Sequence, residues 1–321
     1  MVVMKTDSSI DAQQPVTTYR DRLVRNASAG LRAMTIVIGA PSGVGKSTQA
    51  LFLSRHCPDE LKVVPPGTPL KTMDDVFVVS TDKDGMLCGL PYGLDARGLP
   101  VLDARYELGT DVTKPDGSIV RELMSMRQFS REVMFPMLQE EYRLGCRNFV
   151  FDTLTTAMTA TQPEIERETS MGGSRNNMEY YPKLTAFGQE IYAASACLPG
   201  ATILYLVHTA YKDDFVIAEK GESKQAAEDR IRQKKQATDP YLARITPVMP
   251  GKTAEVFINQ ASLVLSLDLY LDIKGGYKRR FIVHPGQEHR AKNRLAEWLD
   301  PIEYGSIRTV LNKIKTAAGI I

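Results

Sequence analysis

An apolar run rich in β-branched residues, Met34–Ile38, stops at Gly39 and gives way to Ala40-Pro41-Ser42-Gly43-Val44-Gly45-Lys46-Ser47-Thr48. Such a run reads as a buried strand. Ser47 to His56 reads as a helix that Cys57-Pro58 stops. A strand, a glycine-rich turn and a helix, with Lys-Ser at the helix start, are the parts of a phosphate loop. The glycines let backbone N–H groups converge where a side chain would obstruct them, and the helix start adds its partial positive charge. Few folds accommodate this turn, and the rest of the chain has to supply a parallel sheet around it.

It does. Val76–Ser80 reads as a second buried strand ending at Thr81-Asp82, Phe149–Phe151 as a third ending at Asp152, and Ala201–Val207 as a fourth ending at His208. Between them lie an irregular Gly-, Pro- and Asp-rich excursion over 83–120, a helix over Arg121–Leu144 kinked at Pro136, and a helix over Lys183–Leu198. A further strand falls within Val256–Leu267. Leu269–Lys274 and Tyr277–His284 flank Gly275-Gly276, a hairpin signal, and Tyr304–Ala318 reads as a terminal helix. Alternating strands and helices give an α/β core with a mostly parallel central sheet, helices on both faces and a C-terminal β-hairpin. Ligands of such sheets sit beyond the carboxyl ends of the strands, where every candidate residue lies. The expected organisation is a tail or oligomerisation segment over 1–33 with a short helix near Thr17–Arg25, an ATPase core over 34–300, and a C-terminal helix over 301–321.

The motif assigns ATP and Mg²⁺ as cofactors. Pro41, Ser42, Gly43, Val44, Gly45, Lys46, Ser47 and Thr48 form the nucleotide cradle, with Lys46 on the β- and γ-phosphates and the Ser47 hydroxyl on Mg²⁺. Asn148-Phe149-Val150-Phe151-Asp152 ends a buried strand in a carboxylate, which supplies the second metal-side group.

On these motifs, from about Thr35 to Asp300, the chain resembles the RecA/DnaB superfamily of ATPases, in the style of phage RecA-like recombination and single-strand annealing proteins. Thr153-Leu154-Thr155-Thr156-Ala157 after Asp152 is similar to the Asp-Ser segment of RecA. The polar stretches Gln162–Asn177 and Tyr211–Pro250 stand in the order of its two DNA-binding loops. His208 stands where RecA proteins usually carry a Gln that senses the γ-phosphate and several phage relatives carry His. Ala291-Lys292-Asn293-Arg294 resembles the Lys-x-Arg element that DnaB-type enzymes direct at a neighbouring subunit, which assigns Lys292 and Arg294 to catalysis in trans. Those families place a catalytic Glu after the second strand; here Asp82 is the nearest carboxylate, with Asp84 as the alternative.

The resemblance implies a DNA-dependent, slow ATPase acting on single-stranded DNA in recombination, annealing or replication. Its implied partners are its own copies, in a head-to-tail filament or ring, and a single-strand-binding protein. A nucleotide kinase of guanylate type, a helicase core or helicase loader, and a nucleotide-switched binding module remain alternatives; no large N-terminal helicase-bundle domain is expected. Net charge is only +2, so any phosphate-binding surface must be local. The loop Lys220–Arg244 mixes both signs and supports a solvated helix as readily as a DNA contact. Lys274–Arg294 is more basic, with seven Lys and Arg against Glu288 alone. Tyr180, Tyr181 and Tyr241 are candidates for base stacking. Cys57, Cys88, Cys146 and Cys197 are scattered, which excludes a thiolate zinc site and implies a reducing cytoplasm, bacterial or phage-infected. His284 and His289 lack acidic or thiol partners at metal spacing. With no apolar run of about 18 residues and no signal-like start, no membrane partner is expected.

Overall fold

The structure is a computed structural model that describes residues 33–81, 86–100, 109–113, 115–123, 125–171, 174–211, 223, 225–226, 229, 245–273, 275–284, 291–295 and 297–319. Strand β1 (Met34–Ala40) lies at the middle of the main sheet. On one side it pairs in parallel with β11 (Leu263–Leu271), and on the other with β9 (Thr202–Tyr211). Parallel pairing continues through β6 (Asn148–Asp152) and β2 (Lys71–Ser80) to β3 (Leu94–Pro100). Beyond β11 the sheet turns antiparallel through β12 (Tyr277–Ile282) and β14 (Ile302–Tyr304). Short strands β10 (Ile245–Pro247) and β13 (Lys292–Asn293) pair with β9 and β11. Separate ladders join β4 (Gly109–Thr113) to β5 (Ile119–Leu123), and β7 (Ser170–Met171) to β8 (Ser174–Arg175).

Helices cover both faces, as the alternating pattern predicts. One face carries α1 (Lys46–Leu51) and α8 (Ile307–Ala317), with Leu51, Val310 and Ile314 packed on Ile36, Ile38, Leu204 and Leu265. The other carries α2 (Met126–Phe129), α3 (Phe135–Arg143), α4 (Leu154–Ala160), α5 (Gln162–Thr169), α6 (Asn177–Ala196) and α7 (Thr253–Gln260). There Phe129, Leu184, Phe187 and Phe257 meet Val37, Phe149, Phe151 and Tyr205. A strand buried on both faces must be apolar at every position, which is why β1, β6 and β9 read as unbroken apolar runs.

Several expectations shift. The helix after the phosphate loop ends at Leu51 and continues as turns, because Arg308 of α8 takes the carbonyls of Phe52, Ser54 and Cys57 at 2.6–3.1 Å. The excursion over 83–120 contains a 3₁₀ turn (Met86–Tyr92), edge strand β3 and the β4–β5 ladder. The helix expected from Arg121 starts at Met126, since Ile119–Leu123 is committed to a strand. A π-turn over Ser130–Met134 precedes Pro136, absorbing the amide that proline lacks. The first part of Val256–Leu267 is helix α7, and the strand starts at Leu263. The Gly275 turn does form the hairpin, in register Leu271 to Tyr277. Residues 1–32, with the short helix expected there, lie outside the described residues. No helix among the described residues is long and apolar enough to cross a membrane.

Candidate nucleotide site at the carboxyl ends of the strands

Strand parity builds the site. Side chains alternate along a strand, and Ile36, Ile38 and Ala40 of β1 face α1. The same parity sends His208 of β9 to that face (Leu204 and Leu206 precede it), as it does Asp152 of β6 (after Val150) and Ser80 of β2 (after Val78). Register then brings the four together: Ala40 pairs with His208, Asp152 with Leu206 and Ser80 with Asp152. The mixed α/β core with its phosphate loop on the central strand is thus that of a P-loop nucleotide-binding fold.

Within the loop Gly43 and Gly45 take φ of 81° and 99°, values that side-chain-bearing residues rarely adopt. Lys46 is buried, and its ammonium donates to the carbonyls of Ala40 and Pro41, both at 2.9 Å. His208 Nδ1 lies 3.3 Å from Lys46 Nζ and 3.4 Å from Ser42 Oγ. An ammonium only donates, so His208 accepts from it through Nδ1. The backbone at His208 is fixed as well: its N–H donates to Thr155 Oγ1 at 2.9 Å. Thr155 belongs to the segment after Asp152 that carries the resemblance, and sequence reading gave it no role of its own.

On the metal side, Asp152 is 1% exposed at the end of β6, and its peptide bond to Thr153 is cis. Cys88, from the 3₁₀ turn, donates to the Ser47 carbonyl at 3.6 Å. Burial pushes the Cys88 thiol up to about 12, with the Asp152 charge adding to the rise. The Cys88 thiol is thus held at the Ser47 carbonyl and feels the Asp152 charge, a position the scattered cysteine pattern gave no means of finding. Thr81 staples β2 to β6: its N–H donates to the Asp152 carbonyl, and its hydroxyl donates to the Thr153 carbonyl at 2.8 Å. Asp82 and Asp84 lie outside the described residues. The positive-φ glycines, the three-donor ammonium inside the loop and the buried carboxylate on the Ser47 side fit a nucleoside triphosphate with its divalent cation.

Lys292 and Arg294 are elsewhere. Lys292 Nζ donates to the carbonyls of Ile258 (2.9 Å) and Asn259 (2.5 Å), and Arg294 Nη2 to the Asn259 carbonyl at 2.7 Å. Both cap the end of α7. Burial, then the Arg294 charge, lowers the Lys292 pKa. Lys292 in β13 pairs with Val264, and Arg294 follows the strand, which sets both toward the amino end of β11 and away from their own phosphate loop.

The basic hairpin is not the bare cationic strip its sequence suggests. Arg280 donates through Nε and Nη2 to Asp268, and Lys278 pairs with Asp272 at 2.9 Å. The countercharges come from Asp268 on β11 and Asp272 just after it, outside the window in which the cations cluster. Tyr180 is buried, with its hydroxyl accepting from Gln162, and is unavailable for stacking. Tyr181 is 40% exposed and meets Tyr180 edge-on. Tyr241, His289 and most of Tyr211–Pro250 lie outside the described residues. Gln162–Asn177 forms α5 and the β7–β8 ladder.

The chain matches no protein-family model and no curated protein. The solved structures similar at low level include the following two. One is the Legionella pneumophila ATPase DotB, at 10% identity and TM-score 0.26, covering 81% of this chain and 48% of that one. The other is the pilus retraction motor PilT with bound ADP, at 10% identity and TM-score 0.26, covering 94% of this chain and 56% of that one. The chain spans about half the length of these structures.

Proposed function

We propose that this chain is a Mg²⁺-dependent ATPase of RecA-like type that works on single-stranded DNA in recombination, annealing or replication. One observation carries the reading: β9 runs between the phosphate-loop strand and the Asp152 strand, and lays His208 against Lys46 at 3.3 Å. A side chain there can respond to whatever the Lys46 ammonium holds, the role the RecA resemblance assigns to His208. Lys46 and the amides of the loop would hold the phosphates, and Ser47 and Asp152 the cation. The cation, when bound, neutralises charge on the transferring phosphoryl group. The water-positioning role goes to Asp82, the nearest carboxylate to the position where RecA-like enzymes carry Glu, with Asp84 as the alternative.

The test is the ATPase rate with and without single-stranded DNA, with particles viewed by electron microscopy. A Mg²⁺-dependent rate that DNA raises, with filaments or rings, is expected. DNA binding should weaken steeply with salt, because phosphate contacts dominate it. Phosphate transfer to a nucleoside monophosphate, or tight ATP binding without turnover, would replace the reading with a kinase or a switch.

A further inference from the structure

The phosphate loop is held from outside by a residue far along the chain. Arg279 lies on β12, two positions before buried Phe281 and on the same face, which is the face of α1. Its Nε donates to the Val44 carbonyl at 2.9 Å. The guanidinium covers Gly45 closely: a Cβ built on Gly45 would lie 2.7 Å from Nε and Nη2 and 3.0 Å from Cζ. Among the described residues, the Val44 carbonyl is the acceptor that Arg279 meets. Its neighbours Lys278 and Arg280 are instead spent on Asp272 and Asp268.

The contact falls on a peptide that glycine leaves free to turn. In a trans peptide the C=O and the following N–H point in opposite directions. A carbonyl of Val44 held outward on Arg279 therefore turns the Gly45 N–H to the opposite side, toward the interior of the loop. Gly45 has φ of 99°, and a glycine there places little steric restraint on rotation of the peptide before it. Left alone, the Val44–Gly45 peptide can turn over and present a carbonyl to the phosphates. An arginine on a paired strand suppresses that alternative.

We propose that Arg279 is a positioning residue of the nucleotide site, acting within its own subunit: it orients the Val44–Gly45 peptide so that the Gly45 amide faces the phosphates. The inference rests on the ATP-binding reading above and adds to it a residue of the hairpin. It also separates Arg279 from Lys292 and Arg294, which lie toward the far end of β11.

The test uses the full chain, with MgADP binding by calorimetry and steady-state MgATP turnover. In Arg279→Ala the Kd for MgADP and the KM for MgATP should rise together by on the order of tenfold, the loss expected when one charge-assisted phosphate contact is misdirected. kcat should change less than about threefold, since uniform binding is removed. Arg279→Lys keeps a donor for the Val44 carbonyl and should restore most of the affinity. Added guanidinium ion should partly rescue the alanine variant, which a merely structural defect would not allow. Arg279→Met, which keeps the aliphatic stem without a donor, takes the place of the alanine variant if that one does not fold. Unchanged MgADP affinity in Arg279→Ala or Arg279→Met, with wild type binding normally, overturns the proposal. So does a lysine variant as weak as the alanine one. A wild-type chain that binds no nucleotide would instead sink the ATP reading on which the proposal rests.

Discussion

At the scale of single residues, Lys46 occupies a position that chemistry and packing assign differently. Its three protons are shared by two loop carbonyls and His208, and its side chain takes no part in either apolar core. Lys46→Ala should therefore fold, with a melting temperature near wild type, while turnover falls by at least about 10²-fold as the transferring phosphate loses its main cation. Near-normal turnover in the folded variant would remove Lys46 from the site. The cysteines give an independent check on the geometry. Burial raises Cys88 to about 12 and Cys57 to about 11, against an ordinary 9.0. The thiolate is the reactive form, so at pH 8 their thiolate fractions drop by about 10³-fold and 10²-fold from those rises. Cys197 is exposed. Iodoacetamide followed by peptide mapping should find Cys197 labelled first and Cys88 protected in the folded chain. Rapid labelling of Cys88 would mean that its burial against the Ser47 carbonyl is wrong.

Among elements, the closest interdependence is between α1 and α8. The Ile307 N–H donates to Gln49 Oε1, and Arg308 gathers three carbonyls at the end of the α1 turn while pairing with Asp59. Helix α1 is only six residues long, too short to persist by itself, so the helix that starts at the phosphate loop depends on the C-terminal one. Arg308→Ala should destabilise the chain by about 2–4 kcal/mol, the cost of three buried carbonyls losing a charged donor. Urea unfolding measures this, and a change under about 0.5 kcal/mol, the size of an ordinary surface substitution, would show that α8 is an appendage. The described residues 301–319 thus pack against the core, with β14 extending the main sheet.

For the whole molecule the open question is assembly. Lys292 and Arg294 cap α7 within the subunit and lie away from its own loop, so any catalytic role for them requires a neighbour. A cation delivered to the γ-phosphate in trans accounts for about 10³–10⁵ in rate in arginine-finger enzymes. Arg294→Ala should then lose turnover and keep MgADP affinity, at the cost of one cap hydrogen bond. Mixed with Lys46→Ala, which still offers its own Arg294, it should recover part of the activity at mixed interfaces. A mixture that stays inactive although native mass spectrometry shows co-assembly would leave Lys292 and Arg294 with their capping role alone.

The phosphate loop, the strand that ends at Asp152, the strand that carries His208 (though it runs on to Tyr211), and the Gly275 hairpin were legible from the sequence because each is a local pattern. Buried parallel strands are apolar at every position, and turns that need positive φ select glycine. Boundaries were less legible: Arg121–Leu123 went to a strand, and Val256–Gln260 to a helix, because pairing and packing partners outweighed local propensity. The countercharges of Lys278 and Arg280 were hidden for the same reason, since Asp268 lies on the facing strand and Asp272 in the turn that follows it. What only the tertiary structure decided is which residues meet. Strand order and register set His208 on Lys46, brought Cys88 to the Ser47 carbonyl, and laid Arg279 across Gly45 from 235 positions beyond Val44. Sequence carries the chemistry of each residue in its local pattern, whereas contacts over such separations depend on how the sheet is ordered, and no periodicity within one element encodes that order.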